Sequence, residues 1–172
     1  MPLNAAFTAA TSLLGARLDP YHGFNFLIEI EGILTGGFTE CSGLQVQVEV
    51  EPYVEGGLND YTHHFKSRTT YPPLILKHGL TPLDGLWAWH QQVVHGTVNR
   101  LNGTIFLLNK MQIPLVWWNF MGAYPTKWTG PDLRAESSTV AFESIELVHQ
   151  GLSQPAGSRL AAGLSVTISV GP

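Results

Sequence analysis

Cysteine is almost absent from this chain: Cys41 is the single cysteine among 172 residues. One thiol excludes an intrachain disulfide, and no second cysteine is available to share a thiolate metal site. The surrounding segment Thr39-Glu40-Cys41-Ser42-Gly43 holds no partner motif for a nucleophile. We therefore expect Cys41 to be a small, buried packing residue.

Charge is also scarce, since only 13% of the residues are Asp, Glu, Lys or Arg, against roughly 25% in an average globular protein. The shortfall fits a chain rich in strands and turns. It equally fits a surface that other subunits cover, because charged residues are depleted at the cores of interfaces. The net charge is −4 and no basic run stands out, which disfavours nucleic-acid binding through phosphate contacts.

Long hydrophobic runs are missing as well. No segment approaches the roughly 20 apolar residues that a membrane span needs. The first segment, Met1–Leu18, has no Lys or Arg before Arg17, and polar residues interrupt its apolar stretch. It lacks the positive start and continuous apolar block of a secretory signal. The sequence thus predicts a flexible arm at 1–18, no signal peptide and no membrane anchor.

What the chain does contain is period-two alternation, which is typical of half-buried strands. Phe24–Glu31 alternates clearly, and Ile33–Phe38 is predicted to return beside it as a hairpin. Leu44–Arg68 is predicted to be a longer hairpin with a glycine-rich tip. On its first strand Leu44, Val46, Val48 and Val50 are expected to face a core, while the opposite face meets water or a polar lumen.

One helix is predicted at Pro82–His95. Thr81 suits the N-cap, Pro82 the first position, and Gly96 the C-terminal end. The residues expected to form its buried face are Leu83, Leu86, Trp87, His90, Val93 and Val94.

Strands are expected again beyond the helix. Asn102-Gly103 predicts a turn into a strand at Thr104–Leu108. The later predictions are a strand at Ile113–Met121, a loop at Ala123–Asp132, a strand at Ser138–His149 with a suggested bulge between Phe142 and Ile145, a linker at Gly151–Gly163, and an uncharged strand at Leu164–Val170.

Candidate catalytic chemistry is weak. The seven histidines show no metal-ligand spacing. The carboxylates of Glu143 and Glu146, like those of other strands, are explained by solvated strand faces. Gly56-Gly57 lacks the Gly-Lys-Ser/Thr and helix of a phosphate loop, and favours a turn with positive φ. We therefore predict no catalytic residue, no cofactor and no metal.

Five tryptophans remain. Core packing is the default, with Trp87 on the buried face of the helix, and interface anchoring is the second option for Trp117 or Trp118. An alternative function, a small-ligand or carbohydrate-binding β-barrel that uses these rings, predicts a monomer with a pocket.

Several segments, in order, resemble the tail tube proteins of contractile-tailed bacteriophages. The likeness is greatest to inner tube proteins of phage-tail-like contractile injection systems, such as antifeeding prophages and insecticidal particles. It covers about Asp19 to Leu152. The matching segments are Asp19-Pro20-Tyr21-His22-Gly23-Phe24-Asn25-Phe26, Phe38-Thr39-Glu40-Cys41-Ser42-Gly43-Leu44, Tyr53-Val54-Glu55-Gly56-Gly57-Leu58-Asn59-Asp60-Tyr61, Leu74-Ile75-Leu76-Lys77-His78-Gly79-Leu80, Leu86-Trp87-Ala88-Trp89 and Lys127-Trp128-Thr129-Gly130-Pro131-Asp132-Leu133.

The resemblance implies a mainly β fold, an antiparallel β-barrel or sandwich with one flanking α-helix, at residues 19–152, between the arm at 1–18 and a C-terminal extension at 153–172. It implies a non-enzymatic homo-hexamer that stacks into a hollow tube. Implied partners are a sheath protein, baseplate and spike hub proteins, and protein cargo in the lumen. Assembly would occur in the bacterial cytoplasm, before the tube joins a virion tail or released particle.

The long hairpin is implied to contact neighbouring subunits and the adjoining ring. The residues implied for this role are Glu55, Gly56, Gly57, Asn59, Asp60, Tyr61, Lys66 and Arg68. The chain departs from the family pattern in the return strand, which reads His63-His64-Phe65-Lys66-Ser67-Arg68, and in the tail at 153–172. Both departures leave two stations open, the bulk tube subunit and the first ring on the baseplate.

Overall fold

The computed structural model describes residues 23–33, 37–57, 60–80, 85–133, 136 and 140–156. The predicted arm at 1–18, the predicted strand at Leu164–Val170 and most of the predicted linker lie outside these residues. The described elements are β1 Phe26–Ile30, β2 Phe38–Ser42, β3 Gln47–Tyr53, β4 His63–Thr70, β5 Leu74–Gly79, α1 Gly85–Val94, β6 Leu101–Leu108, β7 Pro114–Thr129, β8 Phe142–Val148 and β9 Gly151–Ser153.

The predicted fold class is confirmed, since the described residues form antiparallel strands with one α-helix. The main sheet has the strand order β1-β6-β7-β8-β5-β2, with β9 also paired to β7. Its edge strands β1 and β2 are not joined by hydrogen bonds in the described ranges. Among the described strands, the main sheet is therefore open and not a closed barrel.

Strand β7 connects the two halves of the sheet. Its first part pairs with β6, from Pro114 to Ala123, and its second part pairs with β8, from Tyr124 to Thr129. Gly122 lies near the end of the first part, at a register shift between β6 and β7, with φ 61°, a conformation that L-residues rarely adopt. The predicted loop at Ala123–Asp132 is thus wrong up to Thr129, because β8 supplies the hydrogen-bond partners that keep this segment extended.

Both halves of the sheet supply one hydrophobic core. Alternate residues of each strand point into it, as the period of two requires. Its buried members are Ile28, Ile30, Ile105, Phe120 and Ala123 from one half, Leu74, Leu76, Ile145 and Leu147 from the other, and Leu86 and Trp89 from α1.

The helix is confirmed over Gly85–Val94, while its predicted cap at Thr81–Asp84 lies outside the described residues. Its buried face differs from the prediction. Trp89, not Trp87, is buried, and its indole Nε1 donates to the Asn99 carbonyl at 2.9 Å. Val94 is exposed. The helix packs on the sheet by the Leu86–Trp89 spacing of three residues, which leaves Trp87 at the side of the contact.

The predicted hairpin between β1 and the segment that follows it is wrong. The described residues of that segment, Ile33, Gly37 and Phe38, form no ladder with β1, because β1 pairs with β6 and Phe38 begins β2, which pairs with β5. Only an isolated bridge, Ile30 to Ile33, joins β1 to the next described residues of the chain. Pairing with β6 places Ile28 opposite Ile105, so that both isoleucines enter the core.

Strand β8 shows no bulge between Phe142 and Ile145. Its residues pair one by one with β5 from Phe142 to Leu147, and the register shift lies on β7 between Pro125 and Lys127. The sequence suggested a bulge because Glu143, a charged residue, occupies a core-facing position of β8 and interrupts the alternation of apolar residues.

Candidate assembly surface

The predicted hairpin at Leu44–Arg68 is confirmed as β3 and β4, which form a separate two-stranded sheet. Tyr53 pairs with His63 at the tip end, and Gln47 pairs with Thr70 at the base. The register shifts between Val48 and Val50, so the strands twist away from a flat ladder there. Gly57 has φ 97° in the turn, which explains a glycine at that position.

One face of this hairpin, the valine face, is formed by Val46, Val48 and Val50, with Lys66 directly opposite Val50. The expectation that these valines meet a core is wrong. They are 50%, 45% and 59% exposed, because the hairpin pairs with no other described strand and nothing in the described chain covers it. An exposed apolar row of this kind marks an interaction surface.

The opposite face, the aromatic face, carries Tyr53, Tyr61, His63 and Phe65. The His63 and Phe65 rings stack at 6.1 Å, and Tyr61 meets His63 edge-on at 5.0 Å. Tyr53 lies 5.8 Å from Phe65 across the strands. The Tyr53–Phe65 pair joins the two strands, and the other two ring pairs lie along the returning segment. Together they stiffen a hairpin that pairs with no third strand in the described chain.

The structure places most of the implied contact residues on this hairpin. Glu55 lies 3.5 Å from His63 Nε2, and Arg68 donates to Glu49 at 2.9 Å. Gly56, Gly57, Asp60 and Tyr61 are exposed around the tip, and Lys66 is exposed on the valine face. Asn59 lies outside the described residues. Glu55 and His63 are thus brought together, whereas Lys66 and Arg68 lie nearer the base.

A second surface was not predicted from the sequence. A groove of about 470 Å³ opens at the start of β8 and is lined by residues that include Asp132, Val140 and Phe142. Val140 is 67% exposed and Leu80 nearby is 58% exposed, and the Leu80 amide donates to the Ala141 carbonyl. In the sequence, only the uncharged run immediately before Glu143 indicated this site.

Beneath the groove lies a buried polar cluster whose carboxylate was predicted to lie on a solvated face. Glu143 and His78 are 5% and 2% exposed. His78 Nε2 lies 3.0 Å from Glu143 Oε1, and Trp128 Nε1 donates to Glu143 Oε2 at 3.1 Å. His78 Nδ1 lies 2.9 Å from the Gly79 carbonyl. Both ring nitrogens of His78 therefore have a hydrogen-bond partner, so neither is left unsatisfied in the core.

This cluster also reaches the helix. The Trp128 ring lies 4.5 Å from the ring of Trp87 on α1, and the Phe38 ring on β2 meets His78 edge-on at 5.7 Å. One run of contacts therefore joins α1, β7, β8, β5 and β2. The polar groups of Glu143, His78 and Trp128 all have hydrogen-bond partners, so the cluster serves to hold these elements together.

A binding pocket built on tryptophan finds little support. A cavity of about 870 Å³ along β1, β6 and β7 is lined by residues such as Glu29, Thr104 and Met121, and by none of the five tryptophans. A second cavity, of about 570 Å³, has Trp89 in its lining, but the side chain of Trp89 is almost fully buried. Within the described ranges, no three His, Cys, Asp or Glu side chains come together as metal ligands do. No described helix is long and apolar enough to cross a membrane.

An antiparallel sheet with one packed helix and an exposed two-stranded hairpin places the chain in the class of mainly β proteins with a single flanking helix. Comparison with known families identifies the family. Residues 22–153 match the family of the T4-like virus tail tube protein gp19, and the chain belongs to this family. The resemblance found in the sequence motifs is thereby confirmed, and tube-family membership indicates a structural role.

Solved structures agree with this assignment. A chain of the anti-feeding prophage baseplate is 26% identical with a TM-score of 0.73, covering 81% of this chain and 97% of that one. A chain of the anti-feeding prophage cap is 25% identical with a TM-score of 0.74, covering 81% and 93%. A chain of an extracellular contractile injection system sheath-tube complex, 23% identical with a TM-score of 0.73 over 84% and 97%, shares the fold. A search of curated proteins by sequence found no match.

Proposed function

We propose that this chain assembles into hexameric rings that stack into the hollow inner tube of a contractile injection system, and that sheath contraction drives this tube into a target. The observation that carries the proposal is the β3–β4 hairpin, which exposes apolar side chains on both faces. In the similar proteins the named assemblies are a baseplate, a cap and a sheath-tube complex. The proposed role is structural and involves no catalysis.

The hairpin is the proposed contact element. Its tip residues Glu55, Gly56, Gly57, Asn59, Asp60 and Tyr61, with Lys66 and Arg68 on the return strand, are proposed to contact neighbouring subunits and the adjoining ring. Burial against other copies would remove the exposed valines and aromatic rings from water, at about 25 cal/mol per Å² of apolar surface. It would also pair hairpin edges that stay open in one chain.

The proposed partners are the sheath, the baseplate and spike hub proteins, and cargo in the lumen. The chain would serve either as the bulk tube subunit or as the first ring on the baseplate. Assembly is proposed to take place in the bacterial cytoplasm, before the tube enters a virion tail or a released particle. The arm at 1–18 and the extension at 153–172 are proposed to flank the tube domain at 19–152.

Electron microscopy and sedimentation of the purified full chain test the proposal. Rings or tubes are expected for the wild type, and Val48→Asp is expected to raise the concentration for half-assembly about tenfold or more, since each 1.4 kcal/mol is a factor of ten. The matched control is Val98→Asp, because Val98 is 50% exposed but lies outside the hairpin. A wild-type chain that stays monomeric at high concentration, with neither rings nor tubes, contradicts the proposal.

A further inference from the structure

The valine face of the hairpin needs a partner surface, and the chain itself offers one. We propose that the valine face of one copy docks into the groove at the start of β8 of a neighbouring copy, with Lys66 of the first opposite Asp132 of the second. This inference rests on the proposed ring assembly and names the two surfaces that would meet in it.

The shapes of the two surfaces fit each other. Val46, Val48 and Val50 form a row that projects from a narrow, two-stranded ribbon. The receiving groove is concave, about 470 Å³, with the exposed side chains of Val140 and Phe142 in its lining. Leu80 extends the apolar surface beside it. A projecting row of valines would pack against Val140 and Phe142, the apolar part of a lining that is otherwise polar, and so form the apolar centre and polar rim that stable interfaces have.

The charges fit as well. Lys66 stands beside the valines and forms no ion pair with any residue that the structure describes, and the same holds for Asp132 at the groove. Lys77, a cation in the lining of the groove, already has partners, since its Nζ lies 3.9 Å from the Glu40 carboxylate and 5.3 Å from the centre of the Phe142 ring. Each surface thus combines exposed apolar groups with one charge that no described residue pairs, and the two charges are opposite.

The aromatic face of the hairpin fits this groove less well. It carries the carboxylates of Glu51, which is paired with Phe65 across the strands, and of Glu55 near His63. Placed at the groove, these groups would confront Asp132 with like charge, which disfavours the contact. The choice of the valine face therefore follows from charge as well as from shape.

The proposed contact has consequences for symmetry. The two surfaces belong to different parts of the chain, β3–β4 and the β5–β8 end, so the contact is head-to-tail. Head-to-tail contacts generate rings when the rotation closes. Each copy would give its hairpin to one neighbour and receive that of the other.

Charge exchange in the full-length chain tests the pairing. Lys66→Glu and Asp132→Lys are each expected to raise the concentration for half-assembly about tenfold. The double variant, with the charges exchanged, is expected to recover most of the wild-type association. The control pair Lys110→Glu with Asp132→Lys is expected to give no recovery, because Lys110 lies in the turn before β7. Circular dichroism checks folding, which both exposed substitutions should preserve.

A second measurement does not depend on charge. In the variant Val48→Cys/Val140→Cys, mild oxidation is expected to produce disulfides between copies and a ladder of bands up to the ring size. Assembled rings without such a ladder, or a double charge variant no better than the single ones, would overturn the docking proposal while leaving the tube proposal intact. A wild type that forms no rings would overturn the tube proposal itself.

Discussion

At the scale of single residues, the most consequential arrangement is the buried pair of His78 and Glu143. Buried polar groups destabilise a fold unless each has a hydrogen-bond partner. Here the carboxyl group of Glu143 contacts His78 Nε2 and accepts from the Trp128 indole, while His78 Nδ1 lies against the Gly79 carbonyl. Removing the carboxyl group would therefore leave the Trp128 indole and the His78 ring without their buried partner.

Replacing Glu143 with Leu should lower the free energy of unfolding by about 3 kcal/mol, because the Trp128 indole and the His78 ring would both lose a hydrogen-bond partner and each unsatisfied buried polar group costs about 1–3 kcal/mol. Urea denaturation measures the change. The control is Glu146→Leu on the same strand, whose partner Lys127 is largely exposed. This control should cost less than about 1 kcal/mol, and equal losses for both variants would contradict the assignment.

Cys41 provides a second prediction at this scale. Burial raises the pKa of its thiol to about 11 from 9.0, since desolvation disfavours the thiolate. At pH 8 the folded protein should react with iodoacetamide about a hundredfold more slowly than the urea-unfolded chain, because the thiolate is the nucleophile. The raised pKa favours the fold below pH 9.0, and this contribution is lost as pH rises towards 11. Similar rates in both states would rule out the burial described.

Charged and apolar residues misled the sequence predictions in opposite directions. Glu143 was predicted to be solvated because a carboxylate on a strand usually is, yet His78, on the neighbouring strand β5, provides its partner. Val46, Val48 and Val50 were predicted to be buried because they alternate with polar residues, but alternation does not show what covers the apolar face. The burial of Glu143 and the exposure of the valines both depend on which distant segment packs against a strand, and local patterns do not encode that.

At the scale of elements, the pairing of β6 with β7 contradicts the turn that was predicted at one glycine. Asn102-Gly103 predicts a turn, yet Gly103 lies inside β6 and pairs with Phe120. A Cβ there would collide with the Phe120 ring and would lie 2.6 Å from the Glu29 carbonyl oxygen. The glycine is required because three strands and a fully buried ring meet at that point.

Gly103→Ala should therefore destabilise the fold by about 1–3 kcal/mol through overpacking, measured as a lower midpoint of urea denaturation. Gly79→Ala is the matched strand control, since a Cβ at Gly79 would meet only Val140 at an ordinary 3.9 Å. An alanine at 103 that leaves the midpoint unchanged would show that Phe120 can move aside.

The strong local patterns predicted elements well and their partners poorly. The helix, β1 and the β3–β4 hairpin were recovered because periodicity and turn glycines lie within a few residues of each other. The return strand at Ile33–Phe38 failed because β1 takes β6 as its partner, about 75 residues away. The loop at Ala123–Asp132 failed for the same reason, since its hydrogen-bond partners come from β8, a separate strand beyond the next turn.

At the scale of the whole molecule, the strands that the structure describes leave hydrogen-bonding edges open. Among them the main sheet does not close and the hairpin has no third strand. Ordered motifs predicted the family, because they preserve spacing along the chain, and the match over residues 22–153 confirms it. The surfaces proposed to meet between copies could not be predicted, because their two halves are distant in sequence and would belong to different chains.

The 16-residue strand β7 has a mechanical consequence. Because it runs through both halves of the sheet, the load between them passes along covalent bonds and is shared with the ladders of β6 and β8. Shearing those ladders requires many hydrogen bonds to fail at once, whereas peeling an edge strand breaks them singly. Under tension along β7, a single copy would therefore hold best at this strand and would yield first at the short edge strands β2 and β9.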